Sequence, residues 1–335
     1  MNNVWGEGMI NRPEVSIICC TSNYEPFIRE ALDSILAQRT NFPIEILVDV
    51  NDKADHTVAI IEEYAKAYPT MIKSLFKSDD QLSKKKDVQQ MSFESARGKY
   101  IALCHGHDSW TDEYKLQRQY DYLEKTKHCV LSVHAGRVVD VEEGKEIAMI
   151  APSKVSRFYQ TPELIDGDRG FFAIGSMFFR ANIVKNRPAL FMNVPDTITD
   201  YGLILYLSLF GQVHFMRDVM TCSRVARADV DTNAMISNIK NQNFQEVGEW
   251  LVQFDEWTNY SYHDVIMAKL QANDFIAVPK DPSETDEMSL QLLSGPNRLK
   301  RKVVMLIERN LPQLAGTIKR RRLLMYQLLH RRNHL

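Results

Sequence analysis

The chain has 335 residues, of which 44% are hydrophobic and 25% are charged, with a formal net charge of −2. These proportions are ordinary for a folded globular protein and argue against a disordered chain. No run approaches the roughly 18 apolar residues of a membrane-spanning helix, and the start of the chain lacks the basic and apolar regions of a signal peptide, so we expect a cytoplasmic protein.

Strand-like and helix-like stretches alternate through the first third of the chain. Apolar β-rich runs predict strands at 14–23, 42–52, 71–77 and 99–108. Apolar residues at helical spacing predict helices at 24–38, 56–69 and 86–98, the last ended by Gly98 as a C-cap. This alternation is typical of a parallel sheet, which binds its ligands beyond the carboxyl ends of the strands. The loops at 21–24, 49–55 and 105–108 lie at that edge.

The second part of the chain continues with mixed elements. Residues 129–141 and 174–181 read as sheet, 199–211 as a helix that starts near Thr199 or Asp200 and stops at Gly211, and 212–225 as a pair of strands. Residues 238–273 read as helical and 278–289 as a linker. We therefore predict three regions: an α/β domain at 1–228, a mainly helical extension at 229–297 and a tail at 298–335.

The five cysteines contain no Cys-x-x-Cys pair and are odd in number. They therefore indicate neither a disulfide framework nor a zinc ribbon. Those within the strand-like runs are predicted to be buried free thiols.

Four stretches together resemble bacterial family-2 glycosyltransferases of the GT-A fold. They are VSIICCTSNYEPFIREALDSILAQRTNFPIEILV, ARGKYIALCHGHDSWTDEYKLQRQYDYLE, FFRANIV and DYGLILYLSLFGQVHFMRDVMTCSRV. The resemblance implies a Rossmann-like α/β fold with a mostly parallel central sheet and helices on both faces, followed here by a C-terminal helical extension. It also implies sugar transfer from a nucleotide-sugar donor.

The stretch His105-Gly106-His107-Asp108 stands where family members carry an acidic Asp-x-Asp-type motif. That motif binds Mg²⁺ or Mn²⁺ on the donor diphosphate, and here Asp108 alone remains acidic. The two histidines with Asp108 could bind a softer transition metal, although alternate residues of an extended segment point to opposite faces, which hinders joint ligation. Alternatively Asp108 holds the cation while the imidazoles touch the diphosphate, or the segment is a polar strand end without metal.

The nucleotide-binding residues that the resemblance implies are partly altered. Thr21 and Asn23 match the first loop, where they would lie beside the nucleotide, and structural capping is the alternative explanation. In the second loop Asn51 replaces an acid that recognises base and ribose, and Asp49 could substitute only after a local shift. An ordinary solvated turn is the alternative for that loop.

Arg224 resembles the arginine of a late YRxH-like motif that surrounds the diphosphate. Ser223 and Ala226 replace the tyrosine and the histidine of that motif. The resemblance therefore implies an incomplete diphosphate loop at this point.

Asp200 matches the general base of the family, at the start of a DWPLxLxLA-like phrase. In an inverting transfer this carboxylate would take the proton of the acceptor hydroxyl, and a helix N-terminus would keep it ionised. The alternative is that Asp200 only caps its helix, and Asp196 is a nearby rival for the role.

The tail opposes the rest of the chain in charge. From Arg298 onward it contains eleven Lys or Arg and one acid, Glu308, whereas the preceding residues carry the other 30 basic and 42 acidic side chains. Basic clusters mixed with Leu, Ile and Val predict an amphipathic helix that contacts anionic lipid at the inner face of the plasma membrane. A helix docked on the domain or on a partner chain is the alternative. No RNA- or DNA-binding motif accompanies the charge, so we expect no nucleic-acid partner.

Two functions from different classes fit the sequence. The first is an inverting hexosyl- or N-acetylhexosaminyl-transferase that uses a nucleotide-sugar, expected to be a UDP-sugar, to build a cell-envelope polysaccharide or a lipid-linked glycan. The second is a non-catalytic relative that acts as a binding or scaffold module in a polysaccharide-assembly complex, as the altered motifs at Asn51, His105 and Ser223 would allow. A third hypothesis, a hydrolase with a histidine-bound metal, is supported only by the His-Gly-His-Asp stretch.

Overall fold

The computed structural model describes residues 12–21, 25–50, 56–76, 88–167, 171–195, 198–225 and 246–272. The chain divides into two compact units, one formed by Met1–Asn193 with Ile198–Met235 and the other by Val194–Thr197 with Ile236–Leu335. The predicted boundaries after residues 228 and 297 lie outside the described residues and stay predictions.

The first unit is built on one mixed sheet. Its ten described strands are β1 (Val15–Thr21), β2 (Ile44–Val50), β3 (Ile72–Phe76), β4 (Tyr100–His105), β5 (Asp108–Trp110), β6 (Cys129–Asp140), β7 (Glu146–Ile150), β8 (Arg157–Tyr159), β9 (Phe178–Arg180) and β10 (Gln212–Val225). Their order across the sheet is β3-β2-β1-β4-β9-β6-β10-β5, with β7 paired to β6 and β8 paired to β10.

Helices follow most of the strands of the first unit. They are α1 (Glu25–Leu36), α2 (Thr57–Ala67), α3 (Val88–Ser95), α4 (Lys115–Lys125), α5 (Thr161–Asp166), α6 (Ala181–Val184), α7 (Ala189–Met192) and α8 (Thr199–Ser208), with a 3-10 turn at Ile174–Ser176. In the second unit α9 spans residues 246–257 and α10 spans His263–Ala272. None of the described helices is both long and apolar enough to cross a membrane.

The longest strand pairings are parallel. β1 pairs in parallel with β2 and β4, β2 with β3, and β6 with β10. The short strands β5, β7, β8 and β9 supply the antiparallel pairings, and β9 joins β4 to β6. The predicted α/β class with a mainly parallel sheet is confirmed.

The core lies around β1 and β2, whose continuous apolar runs are buried as expected for central parallel strands. Val15, Ile17 and Cys19 of β1 have no exposed surface, and every residue of β2 is buried. On α1, the apolar residues at helical spacing pack into the same cluster; they are Ile28, Leu32 and Ile35. The periodicity of the sequence therefore places these elements correctly.

Gly98 has a different role from the predicted C-cap. The helix before it ends at Ser95, and the described glycine with positive φ is Gly144, so Gly98 does not adopt the left-handed conformation of such a cap. A Cβ at Gly98 would lie 2.5 Å from the backbone N of Ser16. The position requires glycine because the start of β4 passes very close to β1.

Two predictions about strands need correction. Residues 212–225 form the single strand β10, with register shifts between Met216 and Val219 that replace the predicted break. The bulged residue Asp218 pairs with Arg118 of α4 at 2.9 Å, which explains why polar residues interrupt this strand. Only Phe178–Arg180 of the predicted 174–181 segment is strand.

The second unit contains a helix-turn-helix within its described residues. His263 Nδ1 at α10 lies 2.7 Å from Asp255 Oδ2 of α9, and Asn259 and Tyr260 adopt positive φ angles of 57° and 60° in the turn. Trp250 and Phe254 stack along α9 with ring centroids 5.4 Å apart. The contact between His263 and Asp255 and the tight turn hold the two helices together.

Lys115 is a fully buried cation at the start of α4. Its Nζ lies 4.1 Å from the centroid of the Trp110 ring and donates to Gln119 Oε1 at 2.9 Å. Gln119 Nε2 in turn donates to the carbonyl oxygens of Ser132 and Ser176, at 3.0 and 2.8 Å. Burial lowers the pKa of Lys115 from its usual 10.5 to about 7. Lys115 therefore packs against the last residue of β5, Trp110.

Replacing Lys115 with Met tests the lowered pKa through the pH dependence of stability. The unfolded chain binds more protons than the folded chain between about pH 7 and pH 10.5, so the native protein gains stability as pH rises through this window. From about pH 7 to pH 8.5, urea unfolding should show a gain in the free energy of unfolding that is larger for the native protein than for Lys115→Met by roughly 1–2 kcal/mol.

The matched control is Lys125→Met, at the exposed end of the same helix. Its pH dependence should follow that of the native protein. Parallel curves for the native protein and Lys115→Met would show that the Lys115 amine keeps its ordinary pKa.

Candidate active site

The carboxyl ends of three parallel strands meet at one edge of the sheet. In the strand register Cys20 of β1 stands opposite Asp49 of β2 on one side and opposite His105 of β4 on the other. Asp49 and His105 therefore lie level with Cys20, and Thr21 lies one residue further along β1, at the end of the sheet where an α/β fold binds its ligands.

His105, His107 and Asp108 come together at a tight turn. β4 ends at His105, the N–H of Gly106 donates to the carbonyl of Cys20 at 2.8 Å, and β5 begins at Asp108. One ligand atom from each of the three side chains lies within 4.8 Å of the other two. The expectation that strand alternation hinders joint ligation is wrong, because the chain turns at 106–107 instead of continuing extended.

The two imidazoles and the carboxylate are in near contact. The ring centroids of His105 and His107 are 5.2 Å apart, and His107 Nε2 lies 3.5 Å from Asp108 Oδ1. Burial lowers the pKa of His107, and the negative charge of Asp108 opposes this only in part. The imidazole of His107 is therefore neutral over a wider pH range than usual.

Asp108 is a buried carboxylate with remaining acceptor capacity. It is 1% exposed, and within the described residues its Oδ1 accepts no hydrogen bond. A Cβ at Gly175 would lie 3.2 Å from Asp108 Oδ2 and 2.7 Å from Thr221 Oγ1, so a glycine is needed beside the carboxylate. An ionised buried carboxylate is costly unless hydrogen bonds or a cation compensate it, so this geometry fits a cation ligand.

Arg224 reaches the same turn from β10. Ser223 pairs with Asp108 of β5, and the next residue, Arg224, donates from Nη1 to the carbonyl of His107 at 3.2 Å. Its Nη2 forms an ion pair with the exposed Glu30 of α1. A partly buried guanidinium thus lies beside the histidines, held by a carboxylate that solvent can reach.

Thr21 and Asp49 are enclosed at the same edge. Thr21 is 1% exposed, and within the described part of the chain its Oγ1 has no hydrogen-bond partner. Asp49 has no exposed surface and accepts a hydrogen bond from Ser92 Oγ of α3 at 2.5 Å. In this conformation Asp49 faces the interior, which is why contact with a nucleotide requires a local shift.

Asp200 lies in the first turn of α8 with a partly exposed side chain. Ile198 occupies the N-cap position, so Asp200 is a first-turn acid rather than the N-cap residue. The positive end of the helix dipole favours the ionised carboxylate at this position.

Three predicted features fall outside the described residues. Asn23 and Asn51 belong to the two loops at 22–24 and 51–55, and the tail at 298–335 is likewise not described. A pocket of about 490 Å³ lies between α1 and α2, and its described lining includes Glu25, Arg29, His56 and Glu63. None of the predicted site residues is among the described residues that line it.

Sequence reasoning missed two residues that shape the site. Gly175 lies next to Asp108, and Glu30 pairs with Arg224. No local pattern marks either residue, because both reach the turn from elements distant in sequence. The packing of α1 and of the 3-10 turn against the sheet brings them there.

The comparisons with known proteins agree with this architecture. The model of the family described as glycosyl transferase family 2 matches residues 16–186, just over half of the chain. An uncharacterised protein of Mycobacterium tuberculosis is 30% identical over 214 residues, which are 63% of this chain and 58% of that protein. EpsJ of Bacillus subtilis, an uncharacterised glycosyltransferase, is 36% identical over 115 residues, 34% of this chain and 32% of that one. The chain thus matches less than two thirds of these relatives' length.

Solved structures show the same fold. Residues 1–349 of S. aureus TarS in complex with UDP-GlcNAc superpose with a TM-score of 0.54 at 14% identity, covering 86% of this chain and 78% of TarS. The structure of that TarS fragment described without a ligand gives a TM-score of 0.54 at 15% identity, with 96% and 92% covered. Because the matched family model, the bacterial relatives and the fold agree, the chain belongs to glycosyl transferase family 2.

Proposed function

We propose that this chain is an inverting transferase that moves a hexosyl or N-acetylhexosaminyl group from a UDP-sugar to a hydroxyl of a polysaccharide or lipid-linked glycan. The observation that carries the proposal is the convergence of His105, His107, Asp108 and Arg224 at one turn beyond the parallel strands. Membership of the family supports glycosyl transfer in general. TarS, which has the same fold, is described in complex with UDP-GlcNAc.

Arg224 supplies the positive charge that a diphosphate needs. Its guanidinium now pairs with the carboxylate of Glu30, which is more than half exposed. A diphosphate oxygen can replace this carboxylate at the same N–H groups, because guanidinium binds both kinds of oxyanion in the same way. Since Nη1 donates to the carbonyl of His107, the guanidinium stays beside the turn during such an exchange.

The turn at 105–108 has the composition of a cation site. Asp108 Oδ1 is buried with acceptor capacity left, and two imidazoles lie within reach of it. A divalent ion bound there would offset the charge that develops on the leaving diphosphate. His105, His107 and Asp108 are the residues that would hold it.

Asp200 is the proposed general base. The acceptor oxygen would bond to the anomeric carbon while the bond from that carbon to the diphosphate oxygen breaks, so the leaving group departs with the electron pair. The hydroxyl proton would pass to the Asp200 carboxylate. The first-turn position of Asp200 and its partial exposure support this role, because the base must be both ionised and accessible to an acceptor.

A non-catalytic binding or scaffold role is the second candidate. The observation that favours it is the burial of Asp49 against Ser92, which leaves the second loop without its usual acids at Val50 and Asn51. This candidate predicts nucleotide binding without sugar transfer, or no nucleotide binding at all.

Replacing Asp200 with Asn tests the catalytic proposal. Loss of the base should lower the turnover of sugar transfer by about 10²–10⁴-fold, whereas the affinity for UDP should change little because the diphosphate contacts remain. Turnover is measured with UDP-sugars and a glycan acceptor, and affinity by calorimetric titration with UDP and with GDP.

The same substitution at Asp196 is the matched comparison, since this residue precedes Asp200 by one helical turn in the sequence. Unchanged turnover in Asp200→Asn with a large loss in Asp196→Asn would move the base to Asp196. Absence of both nucleotide binding and transfer in the native protein would favour the scaffold role.

The domain and membrane proposals concern the three regions at 1–228, 229–297 and 298–335. We infer that the first carries the transferase site, the second extends it with helices, and the basic third region contacts the cytoplasmic face of the plasma membrane. Each Lys or Arg near an anionic surface contributes about 1 kcal/mol, so the eleven in this tail suffice for peripheral binding.

Ending the chain near Pro296 should abolish sedimentation with anionic liposomes, because the truncated chain loses its basic segment. Liposomes of neutral lipid are the control, and the full chain should not sediment with them. Equal sedimentation of the full and truncated chains would assign the tail to packing or to a partner chain.

A further inference from the structure

We propose that the donor site of this chain takes a borderline transition-metal ion, of the Zn²⁺, Co²⁺ or Ni²⁺ class, through His105, His107 and Asp108. The ion's part in sugar transfer rests on the proposed function, but its binding does not. The inference goes beyond that function because it names the class of ion and sets it apart from Mg²⁺.

The first argument is the spacing of the ligand atoms. One ligand atom from each side chain lies within 4.8 Å of the other two, and His107 Nε2 is already 3.5 Å from Asp108 Oδ1. Tetrahedral Zn²⁺ with nitrogen and oxygen ligands at about 2.0–2.2 Å needs ligand atoms about 3.3 Å apart. The His107–Asp108 pair is already close to this spacing.

The second argument is the chemistry of the ligand atoms. Two of the three donors are imidazole nitrogens and one is a carboxylate oxygen. Mg²⁺ demands near-octahedral oxygen ligands, whereas imidazole suits zinc, cobalt and nickel. A site with two nitrogens and one oxygen therefore selects the borderline ions.

The third argument is that the turn is fixed before any ion binds. Its Gly106 N–H is bonded to Cys20 of β1, Asp108 pairs with Ser223 of β10, and the His107 carbonyl accepts from Arg224. Contacts from β1 and β10 thus fix the backbone of the turn that carries the ligands, as outer contacts do in protein metal sites.

The fourth argument is the number of ligands. Three protein ligands leave one position open, which is the pattern of a catalytic metal site rather than a structural one. An anionic oxygen of the donor diphosphate can fill that position, and the guanidinium of Arg224, which donates to the His107 carbonyl, lies beside the turn to receive the remaining charge.

The test uses the full chain, freed of metal by chelation, and Co²⁺ alone as the probe. Titration with Co²⁺ should give a saturable visible absorption at one ion per chain. Zn²⁺ should displace it at a comparable concentration, whereas a hundredfold excess of Mg²⁺ should not. The substitutions His105→Asn, His107→Asn and Asp108→Asn should each weaken Co²⁺ binding by about 10–100-fold or more, because loss of even an outer contact costs that much.

His128→Asn is the matched control. His128 is exposed just before β6, at the end of the sheet opposite to the turn, so its loss should leave the Co²⁺ affinity unchanged. Thermal unfolding of each variant confirms that it is folded, and His107→Gln serves as a second variant if His107→Asn does not fold.

Two results would overturn the inference: Co²⁺ affinities that are equal in the native chain and in all three ligand variants, or displacement of Co²⁺ by Mg²⁺ as readily as by Zn²⁺. The proposed function is judged separately by UDP titration and sugar transfer. If sugar transfer persists in the presence of chelator, the proposed transferase function stands and the ion has no part in it. If Co²⁺ binding depends on the histidines but no sugar is transferred, the ion site stands and the transferase function is rejected.

Discussion

The pairing of β1 with β2 on one side and β4 on the other is the constraint on which the candidate site depends. Because β1 is buried on both faces, a slip of one residue would turn its apolar side chains into the wrong packing layer. The fixed register sets Cys20 opposite both Asp49 and His105. Asp49 of β2 and His105 of β4 therefore reach the same edge of the sheet because each strand pairs with β1.

Two buried carboxylates at opposite ends of this sheet, Glu45 and Asp108, differ in how their hydrogen bonding is satisfied. Near the amino ends, the buried Glu45 accepts hydrogen bonds from Ser16 Oγ at 2.7 Å and from the N–H of Arg97 at 2.8 Å. Near the carboxyl ends, Asp108 Oδ1 accepts none among the described residues. A buried acceptor without a donor destabilises the fold, so such a group is expected where a ligand completes it.

Histidines at two positions where the family resemblance implies acids change the chemistry of the turn. The turn follows β4, and the buried carboxylate of Asp108 and the guanidinium of Arg224 lie at it. Two of the three candidate ligand atoms are imidazole nitrogens, which changes the class of ion that fits.

The sequence by itself determined the elements and the family. Continuous apolar runs marked β1, β2 and β4, helical spacing marked α1 and α2, and four phrases carried the family resemblance, because all of these are local patterns. The sequence did not reveal that Gly98 allows β4 to pass close to β1 or that residues 212–225 form one bulged strand. It also did not reveal that the turn at 106–107 brings both histidines close to Asp108. Only the tertiary structure placed Arg224 against His107, 117 residues away, and Gly175 beside Asp108. Those contacts follow from the pairing of β10 with β5 and β6, and strand register between distant segments is set by the packing of the whole sheet.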